Sequence, residues 1–93
     1  MKPIITDVSF APASDLDRMQ GLLGWAEFTL HGHLRISGST VRRTRRGDLR
    51  AFVPERIDRS GRRHRVVEVL DAELEREIEV QLLAALKAQR VIS

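Results

Sequence analysis

Residues 22–31 read Leu-Leu-Gly-Trp-Ala-Glu-Phe-Thr-Leu-His. Ala26, Phe28 and Leu30 fall on one side of an extended chain and Trp25, Glu27, Thr29 and His31 on the other, the two-residue period of a half-buried strand. The single Gly32 separates this run from residues 34–37, where the alternation resumes and runs on toward Val41, so a tight hairpin is expected at His31-Gly32. Upstream, residues 4–10 (IITDVSF) read as a first strand and residues 11–17 as a break. Downstream, residues 42–48 (RRTRRGD) hold no apolar side chain and read as a loop. Residues 49–54 then read as a buried strand that Pro54 limits, and residues 64–69 as a fifth strand after a turn at Ser60-Gly61. Short links between consecutive strands favour an antiparallel meander over parallel crossovers.

From Asp71 the period changes from two to 3.6, with Leu74, Ile78, Leu82, Ala85 and Leu86 in one sector of a helix expected over about residues 72–90. Asp71 is a good N-cap, Glu73 and Glu75 oppose the positive helix start, and Lys87 and Arg90 complement its negative end. The fold class expected is therefore α+β: a single domain over residues 1–93, with an about five-stranded antiparallel sheet over residues 4–70 and one C-terminal helix. Val80, Leu83, Ala84, Ala88 and Val91 lie on the far side of that helix, which leaves its second half apolar nearly all round. A second copy of the chain is the expected cover, with Val80, Leu83, Ala84 and Val91 at the dimer interface.

Ninety-three residues, 42% hydrophobic and 31% charged, allow one small folded domain with a thin core. The absence of cysteine excludes a disulfide framework, a thiolate metal site and a thiol nucleophile. No stretch approaches the roughly 20 apolar residues of a membrane span, and residues 1–10 lack a secretory apolar run, so a cytoplasmic protein is expected.

The formal net charge of +3 is strongly zoned along the chain. Residues 1–34 and 66–93 are acidic, whereas residues 35–65 carry 11 arginines against 3 acids. Arginine offers a permanent charge and a planar fork of donors that matches phosphate oxygens. Arg42, Arg43, Arg45, Arg46, Arg56, Arg62, Arg63 and Arg65 are the expected nucleic-acid contacts, against the alternative of solvated loops and strand faces. The one long helix has an acidic first half, so a recognition helix is not expected, and contacts should come from loops and strands. Phe28 and Phe52 are expected in the core, and Trp25, on the opposite strand face, is a candidate for stacking a base.

Other chemistry is poorly supported. His31 and His33 form an H-x-H pattern, but a turn intervenes and no third ligand is placed nearby, so no metal is expected. No H-E-x-x-H, P-loop, G-x-G-x-x-G or G-x-S-x-G pattern occurs, and the carboxylates cluster only along a solvated helix face. Neither an enzyme nor a cofactor nor a small-molecule substrate is expected.

The order of residues resembles the SpoVG family, the stage V sporulation protein G or septation regulators of bacteria, from about Ile4 to Leu86. Ile5-Thr6-Asp7-Val8 is similar to the family's opening strand, and Phe28-Thr29-Leu30 with Leu34-Arg35-Ile36 to its central hairpin. Most specific are Gly47, the apolar strand over residues 49–53 ending in Pro54, Arg56, Gly61, Val66, Leu70 and the helix cap Asp71. Val53-Pro54-Glu55-Arg56 stands where the family usually has methionine-proline-serine-lysine, and residues 42–46 hold more arginine than the family loop. The resemblance implies a dimeric, non-enzymatic regulator that binds DNA, and in some members RNA, with Arg56 at the matched basic position. The competing expectation is a protein-interaction module whose basic surface docks an acidic protein partner.

Overall fold

The computed structural model describes residues 3–92. Its elements are β1 (Ile5–Pro12), α1 (Asp15–Met19), β2 (Leu22–Leu30), β3 (Leu34–Arg43), β4 (Leu49–Phe52), β5 (Glu55–Ile57), β6 (Arg63–Arg65) and α2 (Ala72–Ala88). The first four strands form an antiparallel sheet in the order β1-β2-β3-β4, and β5 pairs with β6 alone. The expected α+β meander with a C-terminal helix is the observed fold. It differs in the division of its strands: four in one sheet and two in a separate hairpin.

Pro54 makes that division. It follows β4, is buried, and has no N–H with which to continue a ladder. Its carbonyl instead accepts from the backbone amides of Val66 (3.0 Å) and Val67 (3.4 Å), which ties the end of the hairpin back to the end of the sheet. The strand expected over residues 64–69 is accordingly β6, Arg63–Arg65, its partner β5 lies in a stretch not read as a strand, and Val66–Val69 is irregular. The break over residues 11–17 also contains the start of the five-residue α1, whose N-cap Ser14 accepts from the Asp17 amide at 3.2 Å. Five residues with a single apolar pair, Leu16 and Met19, are too few for a periodic signal in sequence.

The tight turn between β2 and β3 holds both His31 and Gly32 at positive φ, the arrangement of a primed hairpin turn. Beyond it, alternation in β2 places Ala26 and Phe28, each 1% exposed, against α2. Ile78, Leu82 and Leu86 of the helix meet Ile5, Ala26, Phe28 and Val41 in one buried cluster. Burying side chains of this size contributes about 1.5–3 kcal/mol each. Gly24 sits where the β1 backbone comes closest: a Cβ there would lie 2.3 Å from the Ala11 carbonyl oxygen.

The helix begins as its sequence indicates, with the Asp71 carboxylate accepting from the Glu73 and Leu74 amides. It stops at Ala88, because Arg90 adopts a left-handed conformation (φ 60°). Arg90 N–H donates to the Lys87 carbonyl and Val91 N–H to the Leu86 carbonyl, the paired bonds of a Schellman stop.

Polar side chains of α2 also close both edges of the sheet. On the β1 side, Gln81 Oε1 accepts from the Ile4 amide at 2.8 Å, and Gln89 Nε2 donates to the Val8 carbonyl at 3.0 Å. On the β4 side, Glu79 Oε2 accepts from the Ala51 amide at 2.9 Å and pairs with Arg50 Nε at 2.8 Å. An unpaired edge amide is both a lost hydrogen bond and a template for aggregation. Replacing Glu79 with alanine should therefore lower the unfolding free energy by about 1–2 kcal/mol in urea denaturation. It should also speed hydrogen exchange at the Ala51 amide selectively.

Candidate nucleic-acid interface

Two turns of the same build carry the tips of the basic segment. In Thr44–Gly47 and again in Asp58–Gly61, the last residue's amide donates to the first residue's carbonyl, at 2.9 Å and 3.0 Å. Both end in a left-handed glycine, Gly47 (φ 91°) and Gly61 (φ 85°), which a non-glycine residue would strain. The first turn is braced by Thr44 Oγ1 accepting from the Asp48 amide. Arg45, Arg46 and Arg59 thus occupy exposed turn tips.

The second turn is organised by Asp58. Its Oδ1 accepts from the Ser60 amide (2.9 Å), the Ser60 hydroxyl (2.7 Å) and the Arg62 amide (3.0 Å), while Oδ2 lies 2.7 Å from His64 Nε2. The contact with His64, followed by those with Ser60 and the Arg62 amide, lowers the Asp58 carboxyl to about 2.

Cross-strand register separates the arginines by face, because directly opposed residues project to the same side. Ala11, Trp25, Thr40 and Phe52 form one row across the sheet, on the side away from α2. Leu22, Arg42 and Arg50 form the neighbouring row. In the hairpin, Glu55 opposes Arg65 and Ile57 opposes Arg63 on one face, whereas Arg56 and His64 occupy the other. A groove of about 270 Å³ lies between hairpin and sheet, lined by Thr40, Arg42, Phe52, Glu55, Ile57 and Arg63.

The eight arginines fall within one stretch, residues 42–65, but reach several places. Arg42 and Arg63 share the groove, with Arg65 beside Arg63 on the same hairpin face. Arg56 faces the opposite side, Arg62 follows the second turn, and Arg45 and Arg46 crown the first. Arg43 bonds the Gly47 carbonyl at 3.3 Å and lines a separate depression of about 230 Å³ with Arg18 and Arg90. Among the described residues, Arg42, Arg45, Arg46, Arg56, Arg62, Arg63 and Arg65 form no side-chain hydrogen bond or ion pair.

Phe52 departs from expectation: Ala51 takes the core-facing position in β4, and Phe52 lies on the open face with the Arg50 guanidinium 5.3 Å from its ring centroid. Arg50 is a basic residue sequence reasoning missed, as is Arg59 on the second turn tip. The two-residue spacing of Arg50 from Phe52 put it on that side chain's face, but only the β3–β4 register places it opposite Arg42. The Glu79 carboxylate, which bonds and pairs with it, raises its pKa further. Elsewhere on the open face, Arg35 is paired with Glu27 and bonds Thr29 Oγ1.

On the helix, Val80 is 57% exposed and Ala84 is exposed, whereas Val91, expected to continue that face, lies past the helix stop and is 39% exposed. Leu83 is half-buried and packs against the core, so it is only partly available to a second chain. Among the described residues no three histidine or carboxylate side chains converge as a metal site, and no helix is long and apolar enough to cross a membrane. No family model, curated protein or solved structure matches the chain.

Asp58 gives the site a specific acid response. A carboxyl with a depressed folded-state pKa stabilises its surroundings above its unfolded value, 3.8, and that contribution is lost as the pH falls through about 2. An NMR titration should place the Asp58 carboxyl midpoint near 2, with the Ser60 and Arg62 amide signals moving together with it. Asp58→Asn should abolish that transition and raise amide exchange in β5 and β6 while leaving the four-stranded sheet unchanged.

Proposed function

We propose that this chain is a non-enzymatic regulator that binds nucleic acid as a cytoplasmic homodimer, and that it is a divergent relative of the SpoVG family. The observation that carries the reading is the set of eight arginines between residues 42 and 65, Arg59 and the seven named above, whose guanidinium groups have no hydrogen-bond or ion-pair partner among the described residues. Unneutralised, solvent-facing charge of one sign repels itself and attracts a polyanion, releasing the counterions condensed on it. Guanidinium forks suit phosphate oxygens geometrically as well as by charge. Because these arginines stand on turns and short strands, binding rests mainly on the backbone of the nucleic acid and little on base edges in a groove.

The second reading is an acidic protein partner. Exposed apolar residues beside the basic hairpin favour it: Ile57, Val66 and Leu70 are 66%, 64% and 89% exposed. An arginine surface bordered by apolar side chains also suits a protein interface. The readings separate in one assay, since stoichiometric capture of one acidic protein after nuclease treatment, with no nucleic acid bound at low salt, would select the second.

Two outcomes are expected of the leading reading. Replacing Arg42, Arg45, Arg46 and Arg63 with glutamine should flatten the slope of log affinity against log salt by about 3 units, if all four touch phosphate. An unchanged slope would exclude these four as contacts. For the dimer, Val80→Glu should shift the protein toward monomer in sedimentation at low concentration, since a carboxylate would be buried there without a partner. A dimer that survives the substitution lies elsewhere on the surface.

A further inference from the structure

The sheet has two unlike faces. One is covered by α2, and the other carries Trp25, Thr40 and Phe52 in a single row across three strands. Trp25 is 40% exposed, and Phe52 is half-buried with the Arg50 guanidinium over its ring. Beside this row, Arg42 and Arg50 are directly opposed on adjacent strands. Like charges so placed are destabilising unless something neutralises them, and the Glu79 carboxylate that holds Arg50 leaves Arg42 uncompensated. Arg63 faces the same groove from the hairpin. At the far end of the face, Glu27 is already paired with Arg35, so the positive charge is concentrated next to the aromatic row.

Resting on the nucleic-acid reading proposed above, we infer that this open face is a platform for single-stranded nucleic acid. Bases stack at Trp25 and at the Arg50–Phe52 pair, and Arg42 and Arg63 hold the intervening phosphates. Spacing selects the single strand. Neighbouring strands of a sheet are about 4.8 Å apart, so Trp25 and Phe52, two strands apart, stand about 9–10 Å from each other. Successive bases in a duplex rise about 3.4 Å and turn inward to pair, so a duplex cannot offer base faces at that separation. An extended single strand has unstacked bases and a flexible backbone, and aromatic and guanidinium surfaces stack bases with little regard to sequence. Charge complementarity sets the polarity of the occupant, because Glu55 is the one acidic residue lining a groove that holds both Arg42 and Arg63.

Trp25 is the single tryptophan of the chain, so its fluorescence reports this face without any substitution. Oligo-dT of about ten nucleotides should quench it saturably, while a duplex of equal length and heparin, a polyanion without bases, should not. Trp25→Leu, followed by anisotropy of labelled oligo-dT, should weaken single-strand binding by roughly 5- to 150-fold, the range for loss of one stacked base, and leave heparin binding within about twofold. Thr40→Glu, which sets a carboxylate between the two stacking positions, should weaken oligo-dT binding while circular dichroism shows the fold retained. Equal affinity for duplex and oligo-dT, with no selective quenching and no effect of either substitution, would overturn the platform and leave nucleic-acid binding through the arginines intact. Absence of binding to any nucleic acid at low salt would overturn both.

Discussion

One helix does two jobs in this protein, and the rest of the structure follows from them. The apolar side of α2, through Ile78, Leu82 and Leu86, supplies one half of the core, while Phe28, Ala26 and Val41 of the sheet supply the other. Its polar flanks, through Gln81 and Gln89 on one edge and Glu79 on the other, satisfy backbone groups that the meander leaves open. Among the described residues there is only one long helix with which to do this. The sheet is therefore covered on one side and bare on the other. That asymmetry leaves the molecule one open sheet face.

How much of this is legible in the residues depends on whether the signal is local. The alternation of Ala26, Phe28 and Leu30, the cap at Asp71 and the helical repeat from Leu74 to Leu86 are written within a few turns of chain, and they point to the observed elements. Phe52 shows the limit. Two-residue spacing says that Ala51 and Phe52 face opposite ways, but a four-residue strand does not say which side is inward. That is decided by pairing with Val41, ten residues away in sequence, and by Leu82 and Ile78 beyond it. Leu83 is similar, for its half-burial comes from packing against the core cluster that sheet and helix build together, which the helical wheel alone does not contain.

The basic segment shows the same division. Its composition announces an excess of positive charge, and the glycines at residues 47 and 61 announce turns. What sequence does not contain is that two hairpins divide the arginines among a groove, two turn tips and a separate depression. It also omits that Arg50, ordinary in the string of residues, is drawn over Phe52 by a carboxylate from the helix. Charge content is a property of a stretch, whereas charge placement is a property of a topology.

The junction at Pro54 has a consequence for motion. Every residue of β5 and β6 is exposed, and the hairpin is fastened by the Asp58 network at its tip and two amides on the Pro54 carbonyl at its base. Such a unit contributes almost nothing to the buried cluster, so it can detach and re-form at a free-energy cost well below that of global unfolding. The wall that carries Arg63 and Ile57 is thus held by local hydrogen bonds and not by the core, so the shape of the cleft beside it rests on the Asp58 and Pro54 contacts alone.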